Sequence, residues 1–352
     1  MERRKRYEYT GSAGVHLLSL RLEAALKKTL KEGGQAILLL NRRGYANYIA
    51  CPDQRCGWIM QCTYCDATVV YHRDAGLPKG GIVRCHHCQA EQLMPANCPR
   101  CGKKVTAFGL GTQRVEEELA RKLPGVRLLR MDADSMHGYR DYHAHFARFR
   151  AGEIDVLVGT QIIAKGLDFP NVRLVGVVSA DTALNLPDFR AGERTFQLIS
   201  QVAGRAGRGE HPGLVIVQTF SPNDPAIMLA SKHDYDTFAR QEIELRRRVG
   251  LPPVTRMARI VVRQTDLVKA HELARKLADA LVSFNQQLGL GVAIRGPMPC
   301  PIARIAGFHR IQIELIADTA ATMQKLLTTA RNQRLLHADA RTAVDVDPVE
   351  LM

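Results

Sequence analysis

The chain has 352 residues, of which 46% are hydrophobic and 24% charged, and its formal net charge is +14. This composition excludes a disordered chain, and no run approaches the roughly 18 apolar residues that a membrane-spanning helix needs. The excess of Lys and Arg predicts a polyanionic partner, nucleic acid first and an anionic membrane surface second, and of these we expect nucleic acid and no membrane. No secretory signal follows the basic N-terminus, so we expect a cytoplasmic protein with reduced thiols.

Helical and strand periodicities alternate from residue 15 to residue 219, apart from a Cys-rich segment over residues 51–104. The predicted elements are helix 15–30, strand 36–40, helix 115–123, strand 126–131, helix 142–149, strand 154–158, strand 174–178, helix 195–206 and strand 214–219. This alternation predicts an α/β fold with a mostly parallel sheet covered on both faces.

The pattern changes after a basic helix at 235–249, where Leu251, Pro252 and Pro253 break the chain. The elements predicted beyond it are strand 258–263, helix 269–288, a Gly/Pro turn, strand 310–316, helix 320–331 and strand 343–346. Their order predicts a small α+β domain of ferredoxin-like order. We therefore expect three parts: an α/β lobe (1–50 and 105–232), an insertion (51–104) and a C-terminal α+β domain (233–352).

Eight of the nine cysteines lie in the insertion as four pairs, three of them with two intervening residues. The pairs are Cys51 and Cys56, Cys62 and Cys65, Cys85 and Cys88, and Cys98 and Cys101. Two-residue spacing lets both thiolates of a turn bind one metal, and four pairs predict two closed four-thiolate zinc sites. The spacing leaves open three ways in which the four pairs could share two metal ions. In the nested grouping, the two outer pairs bind one ion and the two inner pairs the other. This would bring residues 51 and 101 together, as suits an insertion whose ends return to one sheet. Scattered reduced thiols and an iron–sulfur cluster are the alternatives.

Several other features have two interpretations each. The insertion also holds aromatic and basic residues, namely Trp58, Tyr64, Tyr71, Arg55, Arg73 and Arg84. They suit stacking on single-stranded nucleic acid or a small hydrophobic core equally well. The triplet Arg246 to Arg248 predicts a solvated helix face or a DNA-backbone contact. The stretch Phe308 to Arg310 predicts a base-stacking site or a strand start, and Cys300 an ordinary buried or turn thiol.

Two motifs suit phosphate groups. Gly159, Thr160 and Gln161 follow a predicted strand, where backbone N–H groups and a hydroxyl can meet an anion. Residues 201–208 read Gln-Val-Ala-Gly-Arg-Ala-Gly-Arg. At helical spacing Arg205 and Arg208 lie on one face, small neighbours leave room for an anion, and guanidinium groups fit phosphate oxygens. An ordinary loop and a solvated basic helix end are the alternatives.

Together these motifs resemble a known family. The other stretches that carry the resemblance are the eight-cysteine insertion, 41–45, 109–112, 187–190, 193–194 and 345–348. They are similar to the primosomal replication-restart helicases, the PriA family of helicase superfamily two, from about residue 35 to the C-terminus. The resemblance implies a RecA-like helicase second lobe with a two-zinc Cys-rich insertion, followed by the small α+β domain. It also implies an ATP-dependent 3′–5′ DNA helicase that recognises stalled or abandoned replication forks and restarts replication by primosome assembly.

The resemblance further implies residue roles and partners. The implied catalytic residues are Gln201, Arg205 and Arg208, and the two arginines would stabilise charge on the γ-phosphate. The implied nucleotide-binding residues are Gly166 and Asp168. Nucleic-acid binding falls to Asn41, Arg42, Arg43, Thr160 and Lys165. One zinc ion would be held by Cys51, Cys56, Cys98 and Cys101, and the other by Cys62, Cys65, Cys85 and Cys88. The implied partners are forked and single-stranded DNA, single-strand-binding protein and other primosome proteins.

Two departures from the family pattern matter. The family's first cysteine pair usually has two intervening residues, whereas Cys51 and Cys56 have four. The sequence holds no Gly-x-x-x-x-Gly-Lys-Ser/Thr loop and no Asp-Glu pair, which a first motor lobe supplies for ATP and Mg²⁺. We therefore expect a truncated or split chain that is inactive by itself. The alternatives are a non-catalytic, zinc-stabilised module that binds forks or single-stranded DNA, and a zinc-ribbon RNA-processing factor.

Overall fold

The structure is a computed structural model that describes residues 17–40, 47–51, 53, 56, 58, 60–64, 69–73, 81–85, 90–109, 112–131, 139–160, 169–184, 188–207, 211–336, 339 and 341–351. The chain divides into two compact units. The first comprises residues 1–42, 110–181 and 198–220, and the second comprises residues 43–109, 182–197 and 221–352. The predicted three-part boundaries divide the chain differently and stay a prediction.

In chain order, the helices and strands are α1 (Leu20–Lys31), β1 (Gln35–Leu40), β2 (Asn47–Ala50), β3 (Val70–Arg73), β4 (Gly81–Arg84), β5 (Glu91–Gln92), β6 (Thr106–Gly109), α2 (Thr112–Lys122), β7 (Leu128–Met131), α3 (Tyr139–Arg150), β8 (Val156–Gly159), β9 (Val172–Ser179), α4 (Asp181–Leu184), α5 (Ala191–Ala203), β10 (Leu214–Val217), α6 (Pro225–Ser231), α7 (Tyr235–Val249), β11 (Arg256–Gln264), α8 (Leu267–Gln287), β12 (Ala293–Ile305), β13 (Phe308–Ala317), α9 (Ala320–Asn332) and β14 (Thr342–Val346).

The first unit is built on a parallel sheet of five strands in the order β10-β9-β1-β8-β7. The central strand β1 is buried along its whole length, as expected for a strand covered on both faces. Leu22 and Leu26 of α1 pack with Val115 and Leu119 of α2 against one face of the sheet. The predicted α/β fold with a RecA-like lobe is therefore confirmed.

The C-terminal part of the second unit is an antiparallel sheet in the order β12-β13-β11-β14. Helices α8 and α9 supply Leu281 and Leu326 to its core, where they pack with Ile260, Ile313 and Leu315 from the strands. The element order β11-α8-β12-β13-α9-β14 confirms the predicted small α+β domain of ferredoxin-like order.

One strand of this sheet was missed by the sequence analysis. The structure places β12 over 13 residues where only a Gly/Pro turn was predicted. Among the described strands it pairs only with β13, at the edge of the sheet, with register shifts between Arg295 and Met298 and between Pro299 and Arg304. Prolines are tolerated on an edge strand because half of its N–H groups face away from the ladder. The turn prediction was wrong for that reason.

The basic helix α7 has the predicted bounds, but Arg246 has neither of its two predicted roles. Its side chain is 7% exposed, and its guanidinium group lies 2.7 Å from Glu242 and 2.9 Å from Glu193. The same group lies over the ring of Phe189, 5.2 Å from its centroid. Arg246 therefore anchors α7 within the second unit, while Arg247 and Arg248 pair with Glu244 at the surface.

Replacing Arg246 with methionine is expected to lower the free energy of unfolding of the second unit by about 3 kcal/mol, because two carboxylates lose their buried partner. The expected loss of stability is near the lower end of the range for removing one partner of a buried ion pair, because Glu193 is 36% exposed. The fluorescence of Trp58, the chain's one tryptophan, reports the urea transition. Arg248→Met is the matched control, since it removes an equal charge from a surface pair. An equal shift in both variants would contradict the anchoring role.

Candidate metal centre and phosphate-binding motifs

The Cys-rich insertion begins and ends in two strands that pair with each other. Asn47 to Ala50 of β2 runs antiparallel to Thr106 to Gly109 of β6, so the chain leaves and returns along one ribbon. A further bridge joins Asn97 to Lys104. The ribbon brings residues 51 and 101 together, which is the arrangement on which the nested grouping of cysteines was based. It forms a sheet of its own, separate from the parallel sheet.

Four thiols cluster at the end of this ribbon: Cys51, Cys56, Cys98 and Cys101. Their Sγ atoms all lie within 4.8 Å of one another. The Sγ atoms of Cys51 and Cys101 are 3.3 Å apart, and those of Cys56 and Cys98 are 3.6 Å apart. These separations exceed the roughly 2 Å of a disulfide. They are slightly shorter than the about 3.8 Å expected between sulfurs in a tetrahedral zinc site with bonds of about 2.3 Å, and no pair of the four sulfurs is more than 4.8 Å apart. The four residues therefore fit one tetrahedral metal ion.

The turns that present these thiols are held by backbone hydrogen bonds. The N–H of Cys56 donates to the Asp53 carbonyl at 3.0 Å, and the N–H of Gly102 donates to the Cys98 carbonyl at 2.9 Å. Gly102, directly behind the Cys101 thiol, has φ +75°, a backbone conformation that favours glycine. The Lys103 ammonium group lies 2.6 Å from the Asp53 carboxylate and so joins the two turns. The four residues between Cys51 and Cys56, two more than in the other pairs, therefore do not prevent both thiols from joining the cluster.

The four thiols have different electrostatic surroundings. Burial, reinforced by the neighbouring Cys101, raises the pKa of Cys51 to about 12, and burial also raises the pKa of Cys56. Burial opposes ionisation of Cys98 as well, but the N–H groups of Cys101 and Arg100 outweigh it and lower its pKa to about 7. Thiolates are the form that binds metal, and a divalent cation supplies the charge that keeps adjacent thiolates together.

Part of the second predicted set lies in the hydrophobic core of the insertion. Cys62 and Cys85 are buried there, and the N–H of Tyr64 donates to the Cys62 sulfur at 3.4 Å. Cys65 and Cys88 lie outside the described residues. Trp58 packs against this core, whereas Tyr64 is 53% exposed. The remaining aromatic and basic side chains of the block also lie outside the described set; they are Tyr71, Arg55, Arg73 and Arg84.

The helix predicted over residues 195–206 ends earlier than expected. The last residue of α5 is Ala203, and the N–H of Arg205 donates to the Val202 carbonyl in a tighter turn. Gly207 then adopts φ +74°, which a helix does not permit. Arg205 therefore lies beyond the helix, and the prediction of two arginines on one helical face was wrong. Arg208 itself lies outside the described residues.

The small residues of this motif accommodate a backbone crossing. A Cβ atom on Gly213 would lie 2.3 Å from the Ala206 carbonyl carbon and 2.4 Å from the Gly207 nitrogen. The N–H of Gly207 also donates to the Val172 carbonyl at the start of β9. The tight turn after α5 is therefore attached to the amino end of β9. Close packing of two chain segments, and not space for an anion, accounts for Gly207 and Gly213.

The two phosphate-type motifs lie at opposite edges of the parallel sheet. Thr160 follows β8 at the carboxyl edge and is buried, and Leu39 of β1 pairs there with Gly159. Arg205, by contrast, belongs to the turn attached to the amino edge. Gln201 is exposed on α5. The other predicted nucleotide and nucleic-acid ligands lie outside the described residues: Asn41, Arg42, Arg43, Lys165, Gly166 and Asp168.

Sequence reasoning missed a polar cluster that holds the C-terminal residues within the second unit. Arg194 lies 3.3 Å from the buried Asp188 carboxylate and 3.7 Å from Glu350. Its guanidinium group also donates to the Val349 carbonyl, and the N–H of Leu351 donates to Asp188 at 3.3 Å. No local pattern connects residues 188–194 with 349–351. The one indication in the sequence was that stretches at or beside these two segments, 187–190, 193–194 and 345–348, contributed to the family resemblance.

Comparison with known families gives the class of the protein. The model for the helicase conserved C-terminal domain matches residues 89–210, and the model for the primosomal protein N C-terminal domain matches residues 247–349. The chain therefore carries the C-terminal lobe of a helicase followed by a primosomal protein domain. Among the described helices, none combines the length and the hydropathy that a bilayer crossing requires.

The curated relatives specify the family further. Replication restart protein PriA of Bacillus subtilis is 41% identical over 341 residues, which are 96% of this chain and 41% of that protein. The Treponema pallidum PriA is 39% identical over 339 residues, 96% of this chain and 50% of that protein. The Haemophilus influenzae PriA is 37% identical over 336 residues, 95% of this chain and 45% of that protein. The chain thus belongs to the PriA family, and it spans about half the length of these relatives or less.

Proposed function

We propose that this chain supplies the second motor lobe, the metal-stabilised insertion and the C-terminal domain of an ATP-dependent 3′–5′ DNA helicase. The helicase would recognise stalled or abandoned replication forks and restart replication by primosome assembly. The observation that carries this proposal is the similarity to replication restart protein PriA over 96% of the chain. The two family models support it, since they match in the order helicase lobe, then primosomal domain.

The ATP site would use the amino edge of the parallel sheet. Arg205 and Arg208, oriented by Gln201, would stabilise charge that develops on the γ-phosphate. Gly166 and Asp168 would contact the nucleotide, and they precede β9, the strand to whose start the turn of Arg205 is attached. ATP and Mg²⁺ would bind only when a first motor lobe faces this edge. The attachment of that turn to β9 supports the assignment.

Nucleic acid would bind at the opposite, carboxyl edge, where Thr160 follows β8. The predicted contacts there and in neighbouring loops are Asn41, Arg42, Arg43, Thr160 and Lys165. Separate edges let ATP hydrolysis and DNA translocation occur on different surfaces of one lobe. The partners would be forked and single-stranded DNA, single-strand-binding protein and other primosome proteins, in the cytoplasm.

The insertion would bind two Zn²⁺ ions. Cys51, Cys56, Cys98 and Cys101 would hold one, and their mutual distances support this assignment. The second set would be Cys62, Cys65, Cys85 and Cys88. A closed site of four thiolates leaves no position for water, so each ion would stabilise the fold of the insertion and take no part in hydrolysis.

Hydrolysis by a reconstituted enzyme tests the proposal. The chain by itself is expected to show no DNA-stimulated ATP hydrolysis, because it has no phosphate-binding loop. Fused to the N-terminal part of the Bacillus subtilis relative, it is expected to hydrolyse ATP and to unwind forked DNA. If the chain alone hydrolysed ATP and Arg205→Ala abolished that hydrolysis, the proposal that a separate first motor lobe is required would be refuted. A folded fusion that binds forks without hydrolysis would favour the non-catalytic binding module.

A further inference from the structure

The tip of the β12–β13 hairpin, residues 304–308, lies against the Cys-rich insertion within the second unit. Ile305 pairs with Phe308, and the two residues between them form the turn. Ala306 has φ +51° and Gly307 has φ +81°, the pattern of a type I′ turn, whose twist matches that of an antiparallel pair. The hairpin tip therefore has a defined shape that another part of the same unit can bind.

Two hydrogen bonds and one apolar contact join the hairpin tip to the insertion. The N–H of Gly307 donates to the Tyr64 carbonyl at 2.8 Å, and the Arg304 guanidinium group donates to the Thr63 carbonyl at 3.0 Å. Between these two donors, Ile305 packs against the hydrophobic core of the insertion. Arg304 and Thr63 are 241 residues apart in the sequence, so this is a tertiary contact between the C-terminal domain and the insertion.

The core that receives Ile305 is small and rich in cysteine. Four of its nine buried members among the described residues are cysteines: Cys51, Cys62, Cys85 and Cys98. The strands β3, β4 and β5 of the insertion have only four, four and two residues. A core of this size is marginally stable by itself, and metal binding to its thiolates supplies folding free energy.

The two accepting carbonyls belong to the turn that begins at one of these cysteines. Thr63 and Tyr64 directly follow the buried Cys62, and the N–H of Tyr64 donates to the Cys62 sulfur at 3.4 Å. Two members of the same core, Cys51 and Cys98, belong to the cluster of four thiols that fits one metal ion. The hairpin tip is thus bound to the part of the insertion whose order depends on its thiols.

The rest of the hairpin is held independently of the insertion. Ile311 and Ile313 of β13 are buried in the core formed with α8 and α9. The ladder between β12 and β13 is irregular between Pro299 and Arg304, just before the tip. The tip can therefore separate from the insertion while the sheet of the C-terminal domain stays folded.

We propose that the hairpin tip is a metal-dependent lid on the insertion: docking of the tip and metal binding by the insertion strengthen each other. Metal binding orders the core that Ile305 contacts, and docking excludes water from that core. Such coupling is reciprocal, so each event changes the equilibrium of the other by the same factor. The inference rests on the metal site proposed above and goes beyond it, because it makes the sheet of the C-terminal domain respond to metal content.

Competition between the full chain and a chromogenic chelator for Zn²⁺ tests the coupling. Ile305→Ala is expected to weaken Zn²⁺ binding by the insertion about tenfold, because it removes the apolar contact of the docked tip. Ile294→Ala is the matched control and is expected to keep the parent affinity. It removes the same atoms from the same strand, but Ile294 packs against the core of the C-terminal domain.

A second pair of variants tests the hydrogen bond. Arg304→Met is expected to weaken Zn²⁺ binding about threefold, the effect of one net hydrogen bond. Arg295→Met is the matched control, because Arg295 lies on the same strand and donates to the Val249 carbonyl of α7 at 3.2 Å. This pair makes the same comparison without changing the apolar core, should Ile305→Ala unfold the insertion.

Amide hydrogen exchange measures the coupling in the other direction. Removing the metal is expected to raise the exchange rate of the Gly307 amide about tenfold, measured by mass spectrometry of peptides that cover residues 304–309. Peptides that cover residues 311–316 are expected to be unchanged, because that strand belongs to the helical core. In Ile305→Ala, metal removal is expected to have little further effect on the hairpin tip.

The outcomes separate this inference from the metal site on which it rests. A parent chain that binds no Zn²⁺ would contradict both. A parent chain that binds Zn²⁺ with equal affinity to Ile305→Ala and to Arg304→Met would overturn the coupling and leave the metal site standing. Equal exchange of the Gly307 amide with and without metal would likewise overturn the coupling alone.

Discussion

Replacing Cys98 with serine is expected to remove about one equivalent of metal from each chain and to unfold the end of the Cys-rich insertion. Cys98 is buried among three other thiols within 4.8 Å, so its loss leaves an incomplete tetrahedron. Structural zinc sites of this kind contribute about 10–16 kcal/mol of apparent binding free energy, most of which becomes folding free energy of a small module. Elemental analysis after dialysis against a chelator measures the metal, and Trp58 fluorescence reports the local fold.

The matched control for this experiment is Cys300→Ser. Cys300 is equally buried, at 3% exposure, but it lies in the C-terminal domain and outside the cluster of four thiols. We expect the control to retain the metal content of the parent chain. If Cys98→Ser retained it as well, Cys51, Cys56, Cys98 and Cys101 would not form one site. Loss of all metal from Cys98→Ser would indicate that the two predicted sites fold together.

Replacing Arg205 with alanine is expected to lower the rate of ATP hydrolysis about 10³-fold in the fusion with a first motor lobe. A guanidinium that reaches the γ-phosphate stabilises charge present only in the transition state, so kcat falls while nucleotide binding changes little. Arg205→Lys is expected to recover only part of the rate, because an ammonium group cannot form the same paired hydrogen bonds. Steady-state hydrolysis over a range of ATP concentrations separates kcat from KM.

Thr160→Ala serves as the comparison for Arg205→Ala, because the two residues lie at opposite edges of the same sheet. We expect the threonine variant to lose stimulation by single-stranded DNA and to retain DNA-independent hydrolysis. The arginine variant is expected to lose both. If the two variants had the same kinetic profile, the assignment of ATP to the amino edge and of nucleic acid to the carboxyl edge would be wrong.

Much of the fold follows from local patterns in the sequence. Strand β1 is a continuous apolar run buried on both faces, and α7 has its predicted bounds because Asp234 caps its start and Gly250 ends it with φ +65°. The ferredoxin-like order was predicted with β12 missing. That strand could not be recognised locally, because its prolines are compatible with a strand only at the edge position that its partner β13 leaves available.

The candidate sites were predicted less completely. The four pairs of cysteines were evident from their spacing, but the backbone crossing of Gly207 and Gly213 was not. The end of α5 at Ala203 depends on that crossing. The burial of Arg246 depends on Glu193 and Phe189, which lie more than fifty residues away in the chain. Helical spacing describes only neighbours along one helix. It therefore predicted Arg205 on a helix that ends before it, and Arg246 on an exposed face although it is buried.

The sequence by itself determined the class of fold, the paired cysteines that could hold a metal ion and the family, because each depends on residue types at short, fixed spacings. Only the tertiary structure decided which thiols meet, since the β2–β6 ribbon brings Cys51 and Cys56 to Cys98 and Cys101. It also placed Thr160 and Arg205 at opposite edges of one sheet. It likewise set the hairpin tip, residues 304–308, against the insertion. Strand pairing joins residues distant in the chain, and spacing along the sequence does not specify that pairing.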